Sequence, residues 1–289
     1  MLLEQHDSPG GLATSWQRGD YTFETCLHWL TGVDPKGRLN SRWREVLDID
    51  GLHLVFPEEF ARVETEQGEC LRIYANVDRL EAELLTKAPE DASEIRHLTS
   101  AIRRLAGFPM PDPSEKWPRR GLALLRLLPY LPMLRQWSRV SIQDYGKGFS
   151  NPLLRCFFGG DDITQLSMIA LLFSLSWMND CDAAYVVGGG QAIIRAIRQR
   201  FEQLGGQLRL GAKVEKILVK QDLTAGVQVV GGEIIAADWV ISASDVHATI
   251  YQLLDGKYID RTIENMFRNL KTFPSYLQVS LGVAAPLSE

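Results

Sequence analysis

The segment from Tyr185 to Val219 constrains the fold of this chain more than any other. Its sequence, YVVGGGQAIIRAIRQRFEQLGGQLRLGAKVEKILV, is an extended entry, a glycine-rich turn, a helical stretch, a Gly-Gly stop and a strand. The helical stretch is amphipathic, with its apolar residues on one stripe and arginines off it, and Gly205 and Gly206 are typical of a helix end. A strand, a helix and a further strand in this order predict an α/β fold.

The glycine turn partly matches the GxGxxG pattern of dinucleotide-binding turns. Gly188 and Gly190 fit its first half, but position 193 is Ile rather than Gly. The turn could bind phosphate at a helix N-terminus as an independent NAD site, or it could simply begin a helix. The mismatch at Ile193 favours the second interpretation.

Composition excludes several classes of protein. The chain has 289 residues, enough for about two domains, and a net charge of −5 without a long basic run, which argues against nucleic acid as a partner. Its four cysteines form no CxxC pair, so neither a metal site nor a disulfide framework is expected. The cysteine pattern suits a reducing compartment and the N-terminus has no secretory signal, so we expect a cytoplasmic protein that could also associate peripherally with a membrane.

Local patterns place further elements. Alternating residues between 50 and 75 predict strands with a hairpin turn at Gln67-Gly68, and Asn76 is a suitable cap for a helix that follows. The second half predicts a hairpin turning at Gly231-Gly232, a strand ending in WVISAS before a cap at Ser244 or Asp245, and a last strand in YLQVSLGVA.

Two apolar stretches bear on membranes. Residues 163–178 lack charge but are 16 residues long, short of the ~20 that a transmembrane helix needs, so a buried helix is predicted. Residues 121–137 combine leucines with Arg126 and Arg135 and are broken by Pro129 and Pro132. They fit either a packed helix and turn or a surface patch that touches lipid.

The N-terminal run LLEQHDSPGGLATSWQRGDYTFETCLHWL carries the most specific signal. A dinucleotide fold places an acid at the end of its second strand, about 20 residues after the glycine fingerprint. Glu4 suits that position, although a solvated terminal acid is the alternative and no fingerprint precedes it. The run resembles FAD-dependent oxidoreductases of the phytoene desaturase, carotenoid isomerase and retinol saturase group, and more distantly amine oxidases.

The resemblance implies an FAD site. Glu4 would bind the ribose, and the turn at Gly10 and Gly11 would pass close to the pyrophosphate, which suits residues without a Cβ. Relatives often have an arginine after the double glycine, where this chain has Leu12. Val214 would give adenine a backbone contact.

Three further residues complete the implied site. Ser242 and Ala243 would lie beside the adenosine half of FAD. His28 is the candidate catalytic residue, in a loop that would face the flavin; a structural histidine is the alternative.

The resemblance also implies an architecture and a function. We expect a Rossmann-like, three-layer FAD domain (1–45 and 183–250) and an inserted mixed α+β substrate domain (46–182), with a return strand in 251–289. The first strand and the C-terminal part are expected to be missing. The implied activity is desaturation, isomerisation or saturation of an apolar polyene, with a complementing fragment as a further partner. A non-catalytic fragment or split-enzyme subunit and an amine oxidase-like flavoprotein are the alternatives.

Overall fold

A computed structural model describes residues 1–24, 28–111, 116–159, 166–270 and 277–284. The chain forms two compact units. The first combines Met1–Cys26 with Ile193–Glu289, and the second is Leu27–Ala192. The functional domain bounds expected from the resemblance stay a prediction.

The described residues mix strands and helices, as an α/β class requires. The strands are β1 (Leu2–Leu3), β2 (Ser15–Arg18), β3 (Tyr21–Glu24), β4 (Leu30–Thr31), β5 (Leu54–Val55), β6 (Glu59–Glu64), β7 (Cys70–Tyr74), β8 (Ala183–Val186), β9 (Leu208–Arg209), β10 (Val214–Lys220), β11 (Leu223–Val229) and β12 (Ile234–Ala236). The α-helices are α1 (Arg38–Val46), α2 (Val77–Lys87), α3 (Ala92–Leu105), α4 (Arg119–Leu127), α5 (Leu131–Trp137), α6 (Ile142–Gly146), α7 (Pro152–Gly159), α8 (Met168–Asn179), α9 (Gly189–Gln203) and α10 (Arg261–Asn269).

The first unit is organised by short sheets. Strand β1 pairs in parallel with β9, β2 and β3 form a hairpin, and β10, β11 and β12 form an antiparallel meander. The meander requires glycine at position 226, where φ is +131° and a Cβ would lie 2.1 Å from the carbonyl oxygen of Ile235. The hairpin turn predicted at Gly231-Gly232 is confirmed.

The second unit has a largely helical core. Buried side chains of β7, α2, α3, α5, α7 and α8 form one cluster that includes Leu80, Ile102, Leu154 and Phe158. The predicted cap is confirmed, because the side chain of Asn76 accepts hydrogen bonds from the first turn of α2. The hairpin between β6 and β7 is also confirmed.

The apolar stretch at 163–178 is confirmed as a buried helix over its described part, since α8 buries six residues. Within the part of the chain that the structure describes, no helix is both long and apolar enough to cross a bilayer.

Two strand predictions are wrong. Residues 239–243 form no strand, and Trp239 and Ile241 are 88% and 94% exposed. A strand is defined by hydrogen bonds to a neighbour, and no described segment pairs with this one. Residues 277–284 likewise form no strand. The cap prediction holds at Asp245, whose carboxylate accepts from the backbone N–H of Ala248 at 2.8 Å.

Candidate nucleotide-binding site

Glu4 follows β1 and is fixed by three hydrogen bonds. Its backbone N–H donates to the carbonyl of Arg209 at 3.0 Å, and its own carbonyl accepts from the N–H of Ala212 at 2.8 Å. Its Oε1 accepts from the backbone N–H of His6 at 2.9 Å. The backbone is therefore fixed to the last residue of β9 and to the segment that follows it. The carboxylate lies at the carboxyl end of a parallel strand, the edge where open α/β sheets bind ligands.

The same segment leads directly into Val214. Residue 211 is a glycine with φ of +64°, and its N–H donates to the carbonyl of His6 at 2.9 Å. Val214 thus begins β10 two residues after the Glu4–Ala212 hydrogen bond. The predicted ribose ligand and the predicted adenine contact are brought to one region of the first unit.

The register of β10 leaves the backbone of Val214 open. Val214 pairs with Val229, and the flanking bond runs from the N–H of Val230 to the carbonyl of Lys213 at 2.9 Å. The N–H of Val229 donates to Glu233, so Val214 and Val229 are a non-hydrogen-bonded pair. The N–H and C=O of Val214 therefore point away from β11. Since β10 is an edge strand, no described strand covers them.

Gly10 lies close to the side chains of Ile194 and Thr14. Its φ is +123°, and a Cβ there would lie 2.9 Å from Cγ1 of Ile194 in α9 and 3.2 Å from Cγ2 of Thr14. Gly11 has φ of +55° but open space around the Cβ position. Glycine is thus required sterically at Gly10, whereas Gly11 is required by backbone conformation alone.

Ser242 and Ala243 lie in the exposed segment that follows β12. The hydroxyl of Ser242 is 2.9 Å from that of Ser244 and 2.8 Å from that of Thr249. Thr249 belongs to a π-helical turn (Ala248–Leu253) that contacts β10. Ser242 is therefore linked through Thr249 to the strand that begins at Val214, whereas within the described residues no hydrogen bond joins its side chain to Glu4.

His28 belongs to the second unit, and the other six predicted site residues belong to the first. Its ring lies 5.9 Å from that of Trp29, centroid to centroid, and residues 25–27 before it lie outside the described residues. The catalytic role of His28 stays a prediction. Among the residues described, no group of three His, Cys, Asp or Glu side chains could hold a metal ion.

The residues of the first unit fit the adenosine half of FAD. A carboxylate can accept hydrogen bonds from ribose hydroxyls, and a free backbone N–H and C=O can bond an adenine edge. Residues 1–287 match the profile of the family described as flavin containing amine oxidoreductase. The chain belongs to the flavin-containing amine oxidoreductase family.

The family match confirms the predicted flavin cofactor and enzyme class. The chain is similar to the neurosporene-forming phytoene desaturase of Rhodobacter capsulatus, with 27% identity over 88% of this chain and 49% of that protein. It is also similar to the prolycopene isomerase of Arabidopsis thaliana, with 24% identity over 99% of this chain and 50% of that protein. These relatives confirm the predicted resemblance to the phytoene desaturase group. The chain spans about half the length of the curated relatives that it matches.

Solved structures agree on the fold. An oxidoreductase from Methanosarcina mazei is 18% identical and has a TM-score of 0.55, covering 93% of this chain and 59% of its own. At this identity the likeness supports the α/β fold alone. The three-layer arrangement and the inserted domain stay predictions.

The sequence missed one feature of the site. Residues 209–212 hold Glu4 and lead to Val214, and they do so through backbone hydrogen bonds. Backbone hydrogen bonds form with any type of side chain, so they leave no pattern in the sequence. Gly211, at positive φ, is the one residue of the segment whose type indicates its backbone conformation.

Proposed function

We propose that this chain is part of an FAD-dependent oxidoreductase that acts on a long apolar polyene. One observation carries the proposal: residues 209–212 hold Glu4 by backbone hydrogen bonds and lead directly to Val214. They bring the Glu4 carboxylate and the open backbone edge of Val214 to the same region of the first unit. The relatives support the substrate class, because two of them are named for phytoene and prolycopene.

Each site residue has a proposed role in holding the cofactor. Glu4 accepts hydrogen bonds from the ribose, Val214 bonds adenine, and Ser242 and Ala243 line the adenosine half. Gly10 and Gly11 keep side chains away from the pyrophosphate. Bound FAD would supply the electron or hydride chemistry, while the protein binds and orients it.

His28 has the remaining proposed role. It would donate a hydrogen bond to a flavin oxygen or hold a proton beside it. His28 is exposed and its ring makes no hydrogen bond within the described residues, so its side chain is open to a ligand.

Two partners belong to the proposal. A membrane surface would present an apolar polyene, and a complementing segment would cover the exposed stretch around Trp239 and Ile241. A non-catalytic chain or split-enzyme subunit, which would bind FAD without turning over substrate, is the second candidate function. An amine oxidase-like activity is the weaker alternative, because the relatives described above are named for phytoene and prolycopene and not for an amine.

Competition among nucleotides tests the adenosine site. The chain would be titrated with FAD, FMN and ADP, with flavin binding followed by fluorescence and by retained absorbance after desalting. We expect FAD to bind, ADP to compete with it and FMN to bind far more weakly, because FMN lacks adenosine. Equal binding of FMN and FAD would overturn the assignment.

A matched pair of variants tests Glu4 itself. Glu4→Gln keeps an acceptor for the His6 N–H but loses the charge, and a hydrogen bond to a charged group contributes about 1.5–3 kcal/mol. We therefore expect about a 10- to 100-fold weaker Kd for FAD. Glu264→Gln, an exposed acid on α10, is the control and should bind as the unaltered chain does. Substrate trials with a carotenoid and with a polar amine then separate the polyene from the amine oxidase interpretation.

A further inference from the structure

Residues 116–139 combine a basic charge with exposed leucines, and we name them the arginine–leucine surface. The segment holds one lysine and five arginines, a formal charge of +6, in a chain whose net charge is −5. It contains no acid, and the next one along the chain is Asp144. The segment therefore has a charge opposite to that of the whole chain.

Its apolar side chains are exposed rather than packed. None of residues 120–127 in α4 is buried. Six large apolar side chains of the segment are at least half exposed: Trp117 (78%), Leu122 (55%), Leu124 (51%), Leu125 (60%), Leu128 (54%) and Leu131 (50%). A packed helix and turn would bury such residues, so for α4 the packed interpretation of this stretch is wrong.

The adjoining helix α5 anchors the surface to the core. Met133 and Trp137 are 8% and 3% exposed and belong to the central cluster of the second unit. The opposite side of α5 carries a shallow depression lined by Leu131, Pro132, Arg135, Gln136 and Arg139. The exposed leucines are thus displayed from a well-packed support.

The arginines are not neutralised by the folded chain. No ion pair joins Arg126, Arg135 or Arg139 to a carboxylate in the described ranges, whereas arginines such as Arg44 and Arg103 do form such pairs. Arginines without an ion pair beside exposed leucines form a surface that is complementary to a partner with anionic groups above an apolar layer. The indole of Trp117 lies against the first turn of α4, where a Cβ on Gly121 would meet its ring at 1.7 Å. Tryptophan in this setting is typical of a bilayer interface.

We propose that the arginine–leucine surface binds an anionic lipid bilayer, with the leucines in the headgroup–acyl boundary and the arginines at the phosphates. Interfacial helices combine an apolar contact with a basic face in this way. A second copy of the chain is a poorer occupant, because the same face on both copies would bring +6 against +6. This inference deepens the proposed membrane contact and rests on the proposed function for its purpose, delivery of an apolar substrate.

Vesicle co-sedimentation of the full chain tests the proposal. Vesicles of phosphatidylcholine alone are compared with vesicles containing about a third phosphatidylglycerol. Arg126→Gln/Arg139→Gln should weaken binding to the anionic vesicles, by about fivefold per arginine. The control Arg261→Gln/Arg268→Gln, two exposed arginines of α10, should bind as the unaltered chain does.

The apolar contribution has its own pair of variants. Leu124→Gln/Leu125→Gln should lower binding by about tenfold or more, because two exposed side chains lose their apolar contact with lipid. Leu223→Gln/Leu270→Gln is the control, since these side chains are 73% and 67% exposed elsewhere. All four leucines are exposed, so circular dichroism should be unchanged in each variant.

The outcomes separate this proposal from its rivals. Loss of binding in both surface variants and in neither control supports it. Unaltered vesicle binding in the surface variants overturns it. Unaltered vesicle binding with a change from dimer to monomer in sedimentation velocity overturns it in favour of an interface between copies. Flavin absorbance in the same samples reports on the FAD site, so vesicle binding without flavin would contradict the proposed function alone.

Discussion

Gly226→Ala should be the most damaging single-methyl change in the first unit. The added Cβ would lie 2.1 Å from the carbonyl oxygen of Ile235 and 2.8 Å from Cα of Ala236, both backbone atoms of β12. Backbone cannot rotate aside as a side chain can, so β12 must move away from β11. Alanine at φ of +131° adds conformational strain.

The magnitude follows from these two effects. Strain in a sparsely populated backbone region costs about 1–3 kcal/mol, and each ladder hydrogen bond lost between β11 and β12 costs about 1 kcal/mol. The free energy of unfolding should therefore fall by about 3–5 kcal/mol. In urea denaturation followed by far-UV circular dichroism, this corresponds to a midpoint lower by roughly 2 M.

The matched control is Gly232→Ala in the following turn. Gly232 also has positive φ, +90°, but nothing lies within 4 Å of its Cβ position. It should lose only the conformational cost, about 1–2 kcal/mol. Equal midpoints for the two variants would refute the reasoning, because the contact with β12 would then contribute nothing.

Three further predictions concern the second unit. Burial, with the charges of Asp34 and Asp180, raises the pKa of Asp182 against the hydrogen bond that it accepts from the backbone N–H of Asp34, so the folded protein loses stability as pH rises through that pKa. Asp182→Asn removes this loss, so the stability that the variant gains over the unaltered chain should be larger at about pH 7 than at about pH 4. A gap in urea midpoint that is the same at both pH values would contradict this. Asp91 is 6% exposed and accepts a hydrogen bond from the backbone N–H of Asn151 at 2.8 Å. Asp91→Ala should lower the free energy of unfolding by about 3 kcal/mol, because buried donors lose their acceptor. An unchanged urea midpoint would disprove this. Leu154→Ala removes a side chain that is 1% exposed and should lower the free energy of unfolding by about 2–5 kcal/mol, whereas a loss below 1 kcal/mol would mean that this core collapses around the cavity.

Local signals in the sequence predicted local structure well. Asn76 caps α2 through hydrogen bonds to residues two and three positions on, and such contacts depend on neighbours in the chain. The turns at Gly68 and Gly231, both at positive φ, were predictable for the same reason. Glycine at these positions avoids the backbone strain of positive φ, which is set by the turn itself and not by distant residues.

Long-range partners were beyond the reach of the same reasoning. The apolar WVISAS stretch has the composition of a buried strand, but a strand forms only where another ladder lies beside it. The leucines of α4 have helical spacing whether they pack in a core or contact a membrane, so their periodicity does not distinguish the two environments. For the site, valine at position 214 carries no chemical signature. Its register against Val229 is what leaves its backbone open.

The exposed stretch from Trp239 to Ser244 also bears on how the free chain behaves in solution. Six residues without charge, rich in β-branched and aromatic side chains, are the kind of segment from which ordered aggregates grow. Asp238 and Asp245 stand immediately on either side of it, and like charges stacked in register repel a second copy. The two aspartates therefore act as gatekeepers, and we expect their charges to keep the exposed stretch from pairing with the same stretch of a second copy.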